Sequence, residues 1–259
     1  MSLVSPKKKL GQHFLNDLNI AQKIVDLLQD QYCDNILEIG PGTGVLTQFL
    51  IPHYKNLKLV EIDTESVAYL NQKYPEFHKN ILSEDVLKMD FSKVYEGQNF
   101  SIIGNFPYNI SSQIVFKALE YRQYVPFFCG MFQKEVAQRI CENPGTKAYG
   151  ILSVLCQAYF HTQYHFSVPP GVFSPPPKVD SGVLSLKRKD ELKIDFDEKL
   201  LFKVVKTSFQ QRRKTLRNSL KGLNIPKLIL EDRIFDLRPE KLSSAQFIEL
   251  TKKVGNAKI

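Results

Sequence analysis

An apolar run that leads into three closely spaced glycines is the feature that most constrains how this chain folds. Residues 35–39 have the composition of a buried strand, Gly40, Gly42 and Gly44 follow, and residues 45–50 have the composition of a helix. Glycine lets the backbone turn sharply and pass close to a ligand. The spacing differs from the G-x-G-x-x-G fingerprint, and no lysine follows the turn as it does in a phosphate-binding loop. We therefore expect an α/β unit that binds a nucleoside-type cofactor rather than a triphosphate.

Two further strand-like runs end in acidic residues. Residues 57–62 carry Glu61, and residues 81–84 lead to Asp85. Glu61 lies 21 residues after Gly40, close to the ~20-residue spacing at which a Rossmann-like unit places an acid on a ribose diol. This spacing favours Glu61 as a ribose ligand over an exposed strand-end charge. Asp85 is a candidate for accepting a hydrogen bond from an adenine amino group, with a surface charge as the alternative.

A fourth strand-like run, residues 100–104, leads directly into Asn105-Phe106-Pro107-Tyr108. The Asn105 side-chain oxygen accepts hydrogen bonds but takes no proton, and Pro107 disfavours the helical region for Phe106, so that the Phe106 carbonyl can point outward. Tyr108 adds a flat aromatic face. Two acceptors beside such a face suit a planar exocyclic amine, for example N6 of adenine. The alternative is a proline-terminated strand with a packing tyrosine.

Composition sets further bounds on the protein. The chain has 259 residues, 43% of them hydrophobic, and can build a substantial core. No apolar run approaches the ~20 residues of a membrane helix, and no apolar stretch follows the N-terminal lysines, so we expect a cytoplasmic protein without membrane segment or secretory signal. The four cysteines lack C-x-x-C spacing and are expected to be reduced thiols. His161 and His165 lack a third ligand nearby, so no metal site is expected.

Positive charge is concentrated near the C-terminus. Residues 1–186 hold 16 Lys+Arg and 17 Asp+Glu, whereas residues 187–259 hold 19 Lys+Arg and 10 Asp+Glu. This asymmetry favours a polyanionic partner bound by a C-terminal module, with a solvated basic face as the alternative. Apolar residues between 200 and 220 predict a continuous helix that packs on one side and presents cations to phosphates on the other. The candidate phosphate ligands are Arg212, Arg213, Lys214, Arg217 and Lys221.

We place a domain boundary near residue 188, at Lys187-Arg188-Lys189-Asp190. Residues 1–188 are predicted to form an α/β domain that binds the nucleoside-type cofactor, and residues 189–259 a small helical domain that binds the polyanionic partner. Within the first, a helix is predicted after Tyr108, and Ser111 or Ser112 is expected to cap it.

The glycine turn and the Asn105 tetrapeptide together resemble the rRNA adenine N6-dimethyltransferase family. The turn reads EIGPGTG at residues 38–44, and the tetrapeptide opens NFPYNIS at residues 105–111. The resemblance extends over nearly the whole chain, in motifs that appear in the same order. The other matching segments are residues 11–15, 168–170, 173–181, 209–215 and 238–242. The last two are similar to the small-subunit (KsgA) branch specifically.

The resemblance implies an α/β, Rossmann-like S-adenosylmethionine-binding methyltransferase domain with a small C-terminal α-helical domain. In these terms residues 1–188 are the catalytic domain, and residues 189–259 are the domain that recognises RNA. It also implies S-adenosylmethionine as methyl donor and, as substrate, two adjacent adenines in the 3′-terminal hairpin loop of 16S rRNA. Its implied donor-site residues are His13, Leu15, Gly40, Gly42, Glu61, Asp85 and Asn105. The implied catalytic segment is Asn105, Phe106, Pro107 and Tyr108, and the target base stacks between Tyr108 and Phe173. His13 replaces the asparagine that is commoner in bacteria, and Phe106 replaces leucine, where only the carbonyl is needed.

Three alternatives are open. The first belongs to a different functional class: a binding factor in small-subunit assembly for which methylation is secondary. The second is a methyltransferase of large-subunit rRNA that confers macrolide resistance, although residues 211–215 argue against that branch. A DNA adenine methyltransferase is disfavoured because no sequence-reading module is evident. In the leading interpretation the partner is the small ribosomal subunit and the protein acts as a monomer.

Overall fold

The computed structural model describes residues 4–29, 31, 33–190 and 194–256. Two compact units are present, one formed by residues 1–137 and 163–188 and the other by residues 138–162 and 189–259. The segment 138–162, which lies before the predicted boundary in the sequence, therefore groups with the C-terminal unit. None of the helices in the described part of the chain is long and apolar enough to cross a membrane.

The first unit is built on a seven-stranded sheet with alternating helices. Its sheet strands are β2 (Asn35–Ile39), β3 (Asn56–Glu61), β4 (Ile81–Ser83), β5 (Ser101–Asn105), β6 (Phe127–Gln133), β7 (Phe160–Val168) and β9 (Ser181–Arg188). A two-stranded antiparallel ribbon joins β1 (Phe14–Leu15) to β8 (Phe173–Ser174). The helices in this part of the chain are α1 (Leu18–Val25), α2 (Thr47–Leu50), α3 (Thr64–Lys73), α4 (Phe91–Val94), α5 (Ser111–Glu120) and α6 (Lys134–Cys141).

Strand order explains where a ligand can bind. The order across the sheet is β4-β3-β2-β5-β6-β9-β7, and β4 to β6 are parallel, whereas β9 runs antiparallel to β6. The chain builds outward from β2 through β3 and β4, then returns to place β5 on the other side of β2. In open α/β sheets, the crevice at such a switch point, beyond the carboxyl ends of the strands, is where ligands bind. The glycine turn follows β2, and Asn105 ends β5.

Both faces of the central strands β2, β5 and β6 are buried, which is why these strands read as continuous apolar runs. Along β6, Cys129 and Met131 point into a cluster that includes Ile24 of α1. Phe128 and Phe132, on the alternate positions, face the opposite side. Asp17 caps α1 by accepting hydrogen bonds from the amides of Asn19 and Ile20 at 2.9 and 3.0 Å.

The second unit is helical. It contains α7 (Ile151–Tyr159), α8 (Glu198–Gln210), α9 (Leu216–Ser219), α10 (Lys227–Leu230) and α11 (Ser244–Asn256). Helices α7, α8 and α11 pack on one another. Phe209 lies between Tyr149 and Phe247, with ring centroids 6.3 and 5.9 Å away, so aromatic packing joins segments distant in sequence.

Two helix predictions were wrong in detail. The predicted continuous helix to residue 220 breaks, because α8 ends at Gln210 and residues 211–215 form a turn in which Lys214 N–H bonds the Gln211 carbonyl at 2.8 Å. Leu216 and Leu220, which follow the turn, are both buried. Burial of these two side chains favours the turn over a straight continuation of α8. The cap of α5 is not a serine: Ile110 occupies that position without a side-chain bond, and the Ser111 hydroxyl donates to the Tyr108 carbonyl at 3.3 Å.

Candidate active site

A cavity of about 190 Å³ opens at the carboxyl ends of β2 to β5, within the first unit. Because parallel strands end at the same edge, it gathers residues that are far apart in the sequence. The predicted site residues that line it are His13, Gly40, Gly42, Glu61, Asp85, Asn105, Phe106, Pro107 and Tyr108. Leu15 lines a smaller adjoining void, and Phe173 lines neither.

The glycine turn adopts a backbone that other residues resist. Gly40 and Gly42 have φ values of +67° and +56°, in the left-handed region. A Cβ on Gly42 would lie 2.9 Å from the Phe14 ring. The N-terminal segment therefore packs directly against the turn, and glycine at position 42 is required for both reasons.

Glu61 is buried at the end of β3 and is held by backbone amides. Its carboxylate accepts from the N–H groups of Gly42, Ile62 and Asp63 at 3.1, 2.9 and 2.9 Å. Burial raises the pKa of Glu61, and the three amide bonds oppose that rise. Since a carboxylate has about four acceptor sites, roughly one remains for a ligand hydroxyl. The bond from Gly42 also couples the acid to the glycine turn.

A second buried acid, Glu38, lies beneath the same turn. The Thr47 hydroxyl donates to its carboxylate at 2.7 Å. Burial, with a smaller contribution from the charge of Glu61, raises the pKa of Glu38 to about 8. Glu38 is 1% exposed, so its contribution is to the electrostatics and packing below the site. Sequence reasoning missed this role, although an acid inside an apolar strand was a readable signal.

The far end of the cavity combines one acid with apolar groups. Asp85 accepts a hydrogen bond from the Leu87 amide at 3.0 Å, and Lys88 Nζ lies 3.9 Å from its other oxygen. Ile62, which follows Glu61 directly, is 51% exposed although it is apolar. Together with Val86, these side chains offer a polar edge and an apolar surface to a planar group.

Asn105 is fixed in one orientation. Its amide nitrogen donates to the His13 carbonyl at 2.9 Å. Because a carbonyl only accepts, this bond assigns the nitrogen and leaves the side-chain oxygen as an acceptor. None of the described residues donates a hydrogen bond to the Phe106 carbonyl, so this second predicted acceptor also remains available.

The Phe106 ring anchors this segment in the core. It stacks on Phe128 with a centroid distance of 4.9 Å and an interplanar angle of 11°, and it contacts Phe132 at 4.9 Å. Gly104 and Gly130 make room for it, since a Cβ on either would lie 2.9 or 2.5 Å from the ring. A glycine inside an apolar strand often marks such a close approach. The Phe106 ring, which is larger than the leucine side chain that it replaces, therefore holds the backbone that carries the acceptor carbonyl.

Tyr108 is packed and bonded rather than free. Its hydroxyl hydrogen-bonds the hydroxyl of Ser181, and burial raises its pKa. The imidazole of His13 stacks on its ring, with centroids 5.4 Å apart and planes 29° from parallel. His13 Nδ1 in turn lies 2.7 Å from the Pro175 carbonyl.

The N-terminal segment is fastened to the sheet through Asp63. Lys7 Nζ pairs with the buried Asp63 carboxylate and with Glu65 at 3.0 Å, and Gln12 donates to Asp63 at 3.2 Å. Burial raises the pKa of Asp63, but the bonds from Lys7, Gln12 and Ser66 outweigh it and hold that pKa below its usual value. Sequence reasoning missed this anchor. Local sequence signals did not connect residues 56 positions apart.

Leu15 and Phe173 pair across the β1–β8 ribbon and both lie in the hydrophobic core. Phe173 is only 3% exposed. The structure thus brings these two residues together, but it does not place the Phe173 ring beside the cavity. The role of Phe173 as a stacking surface stays a prediction.

The five candidate phosphate ligands of the second unit differ in their surroundings. Arg217 donates to Asp236 at 2.7 and 3.0 Å and also bonds the Leu230 carbonyl, so its charge is paired. Arg212 donates to the Thr146 carbonyl at 2.8 Å. The three that are exposed and form no ion pair within the described residues are Arg213, Lys214 and Lys221. No group of three possible metal ligands occurs in the described part of the chain.

A family model described as "Ribosomal RNA adenine dimethylase" matches residues 4–250. The chain belongs to this family. A protein of Flavobacterium johnsoniae named "Ribosomal RNA small subunit methyltransferase A" is 58% identical over 254 residues, covering 98% of this chain and 97% of its relative. The predicted family, its small-subunit branch and the class of enzyme, an S-adenosylmethionine-dependent rRNA methyltransferase, are confirmed.

Solved structures agree with the family. A dimethyladenosine transferase from Plasmodium falciparum superposes with a TM-score of 0.83 at 26% identity, covering 95% of this chain and 99% of that one. The 23S rRNA methyltransferase ErmE superposes with a TM-score of 0.69 at 23% identity, covering 92% and 99%. At that identity ErmE shows a shared fold alone. The predicted fold class is confirmed.

Proposed function

We propose that this chain transfers methyl groups from S-adenosylmethionine to the N6 amines of two adjacent adenines in the 3′-terminal hairpin loop of small-subunit rRNA. The observation that supports this most directly is the orientation of Asn105. Its amide nitrogen donates to the His13 carbonyl, and both Asn105 and Phe106 line the cavity. Two fixed acceptors beside the Tyr108 ring match the two hydrogens of a planar amine.

The donor site fits a nucleoside with a sulfonium tail. When bound, S-adenosylmethionine supplies an electrophilic methyl group. Glu61 would accept from its ribose, the Gly40–Gly42 turn would let the backbone approach it, and Asp85 would accept from its adenine amine. Ile62 offers an exposed apolar surface to the adenine ring. His13 would flank the donor, as the family resemblance implies, and Leu15 would support it from the core.

The acceptor residues work by orientation. The lone pair of an adenine N6 amine is delocalised into the ring, so the amine is a poor nucleophile. Hydrogen bonds from its two protons to the Asn105 oxygen and the Phe106 carbonyl favour a geometry in which the lone pair is turned toward the methyl group. Each transfer leaves S-adenosylhomocysteine and releases one N6 proton. Neither acceptor takes up that proton, which passes to water. Orientation of this kind provides a large part of many enzymatic rate enhancements.

The target base must leave its stack before it reaches these acceptors. Extrusion costs a few kcal/mol in a duplex and less in a loop. Stacking on an aromatic side chain returns about 1–3 kcal/mol per base. Tyr108 is the platform that lines the cavity. For Phe173 to serve the other face, the β8 segment has to shift from its buried position.

We assign catalysis to residues 1–188 and rRNA recognition to residues 189–259, and we expect a cytoplasmic monomer. The exposed cations Arg213, Lys214 and Lys221 support the second assignment, because unpaired surface cations release counterions from phosphates.

The test uses purified protein, labelled S-adenosylmethionine and three parallel substrates: unmethylated small subunits, large subunits and plasmid DNA. The expected product is N6,N6-dimethyladenosine in the small-subunit rRNA alone. Label in the large subunit or in DNA would refute the proposed target. Tight binding to small subunits without any label would favour an assembly factor instead.

A further inference from the structure

We propose that Lys117, a buried lysine of α5, is a positioning residue for the adenine end of S-adenosylmethionine, acting through the loop that carries Asp85. This inference rests on the proposed function and deepens it, because Asp85 is there the acceptor for the adenine amine. Lys117 is only 9% exposed and forms no ion pair in the described part of the chain. A buried charge is costly unless its surroundings compensate it.

Two aromatic rings and one carbonyl surround the Lys117 ammonium group. Its Nζ lies 4.9 Å from the ring centroid of Phe91 and 5.1 Å from that of Tyr121. The two rings are neighbours, with centroids 5.4 Å apart. Attraction between a cation and a ring acts within about 6 Å, so both rings offset part of the cost of burial. The ammonium group donates its hydrogen bond to the Leu87 carbonyl at 3.2 Å.

Leu87 belongs to the loop that lines the adenine end of the cavity. The lining residues of this loop are Glu84, Asp85, Val86 and Leu87. The Leu87 N–H donates to the Asp85 carboxylate at 3.0 Å. Leu87 is therefore held through both of its backbone polar groups, one by Lys117 and the other by Asp85. The bond from Lys117 thereby fixes the residue that orients the Asp85 carboxylate.

The loop depends on such a bond because it has no regular structure of its own. Residues 84–90 lie between β4 and α4 and form neither helix nor strand. Helix α5, in contrast, is packed in the core, with Ile114, Val115 and Ala118 fully buried. It begins at Ser111, directly after the segment that carries Asn105. The helix thus supports the acceptor segment at one end and, through Lys117, the adenine loop at the other.

A second lysine of the chain provides a matched control. Lys58 Nζ lies 4.7 Å from the ring centroid of Tyr95 and donates to the Val94 carbonyl. Val94 is not one of the residues that line the cavity. Lys117→Met and Lys58→Met each keep the apolar stem and remove an ammonium group that binds a ring and a carbonyl. Only the first removes a bond to the adenine loop.

The measurement is calorimetric titration with S-adenosylhomocysteine and with S-inosylhomocysteine, in which an oxygen replaces the adenine amine. The parent protein is expected to bind the inosine compound roughly 10- to 100-fold more weakly, because a bond from the amine to a carboxylate is lost. Lys117→Met is expected to reduce this ratio of Kd values by roughly 3-fold or more, since the carboxylate is no longer aligned. Asp85→Ala should abolish the discrimination, and Lys58→Met should leave the ratio unchanged.

The outcomes separate this inference from the proposed function. An unchanged ratio in Lys117→Met, with discrimination lost in Asp85→Ala, would overturn the role of Lys117 alone. Full discrimination in Asp85→Ala would also refute the proposed contact of Asp85 with the adenine. An equal reduction in Lys58→Met would show a general loss of stability and overturn the inference. Tyr121→Leu removes one ring at a partly exposed position and should reduce the ratio less; if Lys117→Met unfolds, an unchanged ratio in Tyr121→Leu decides against the proposal.

Discussion

Charged side chains have opposite surroundings at the carboxyl edge of the sheet and in the turn at residues 211–215 of the C-terminal unit, which we call the basic turn. At the sheet edge the acids are buried and bonded: Glu38 to Thr47, Glu61 to three amides, and Asp63 to Lys7. In the turn, Arg213 and Lys214 are exposed and form no ion pair within the described residues. Buried, bonded groups hold a fixed geometry, whereas exposed cations attract a polyanion over many geometries and are screened by salt.

This difference assigns methyl transfer to the sheet edge and rRNA binding to the basic turn. A methyl transfer requires reacting atoms in one arrangement, which the fixed acceptors provide. Binding a large rRNA surface requires many weak phosphate contacts that tolerate variation. Changes at the sheet edge should therefore affect turnover or stability, and changes in the turn should affect rRNA affinity and its salt dependence.

Asn105→Ala is expected to lower kcat by about 100-fold or more, because one of the two acceptors that orient the amine is lost. Stability should change little, since the Asn105 side chain is only partly buried. Methyl incorporation and thermal unfolding measure the two quantities. Asn71→Ala is the control, because Asn71 likewise donates to a backbone carbonyl, that of Val67 at 3.0 Å, but lies outside the cavity. Near-normal turnover in Asn105→Ala would end its proposed role.

Glu38→Gln is expected to be more stable than the parent protein at pH 9, by about 1–3 kcal/mol, and to show a smaller difference near pH 5. The pKa of Glu38 rises to about 8 on folding, from an ordinary value of 4.5. The folded protein therefore binds the extra proton, and stability is lost as the pH rises from about 4.5 through 8. Chemical denaturation across this range measures the slope. An identical pH dependence in both proteins would show that Glu38 ionises normally.

Arg213→Ala combined with Lys214→Ala is expected to weaken rRNA binding about 10-fold at low salt. The slope of log K against log salt should become shallower by about 1.4–1.8, because two phosphate contacts are removed. Arg217→Ala provides the comparison within the same unit: its charge is already paired with Asp236, so the salt slope should hold while the unit loses stability. If Arg217→Ala changed the salt slope as much as the double variant does, the ion pair with Asp236 would not keep Arg217 from binding the rRNA.

Lys7→Met is expected to weaken binding of S-adenosylhomocysteine by up to about 5-fold, the effect of one partly exposed ion pair. The segment that it fastens contributes several residues to the cavity wall. Calorimetric titration measures the change, and Lys7→Arg should restore it. Glu65→Gln removes the exposed partner of Lys7 but leaves Asp63 in place, so it should have a smaller effect. If Glu65→Gln and Lys7→Met weaken binding equally, the buried partner is not the anchor.

Much of the sheet edge was predictable because it depends on local pattern. Strand-like runs were located to within one or two residues where they ended in Glu61 and Asn105, since parallel strands buried on both faces are continuously apolar. The break after Gln210 was not predictable in the same way. The apolar residues before and after Gln210 follow helical spacing, so the local pattern predicts a continuous helix. Only the packing of Leu216 and Leu220 in the helical unit makes the turn favourable.

The sequence by itself determined which chemical groups stand at the strand ends: the glycine turn, Glu61, Asp85 and the Asn105 segment. These depend on the residues immediately before and after each group. Only the tertiary structure decided that His13 holds Asn105 and Tyr108, that Lys7 binds Asp63, and that Phe173 is buried. Such contacts join positions separated by up to 162 residues, so they depend on how whole elements pack, which no local pattern encodes.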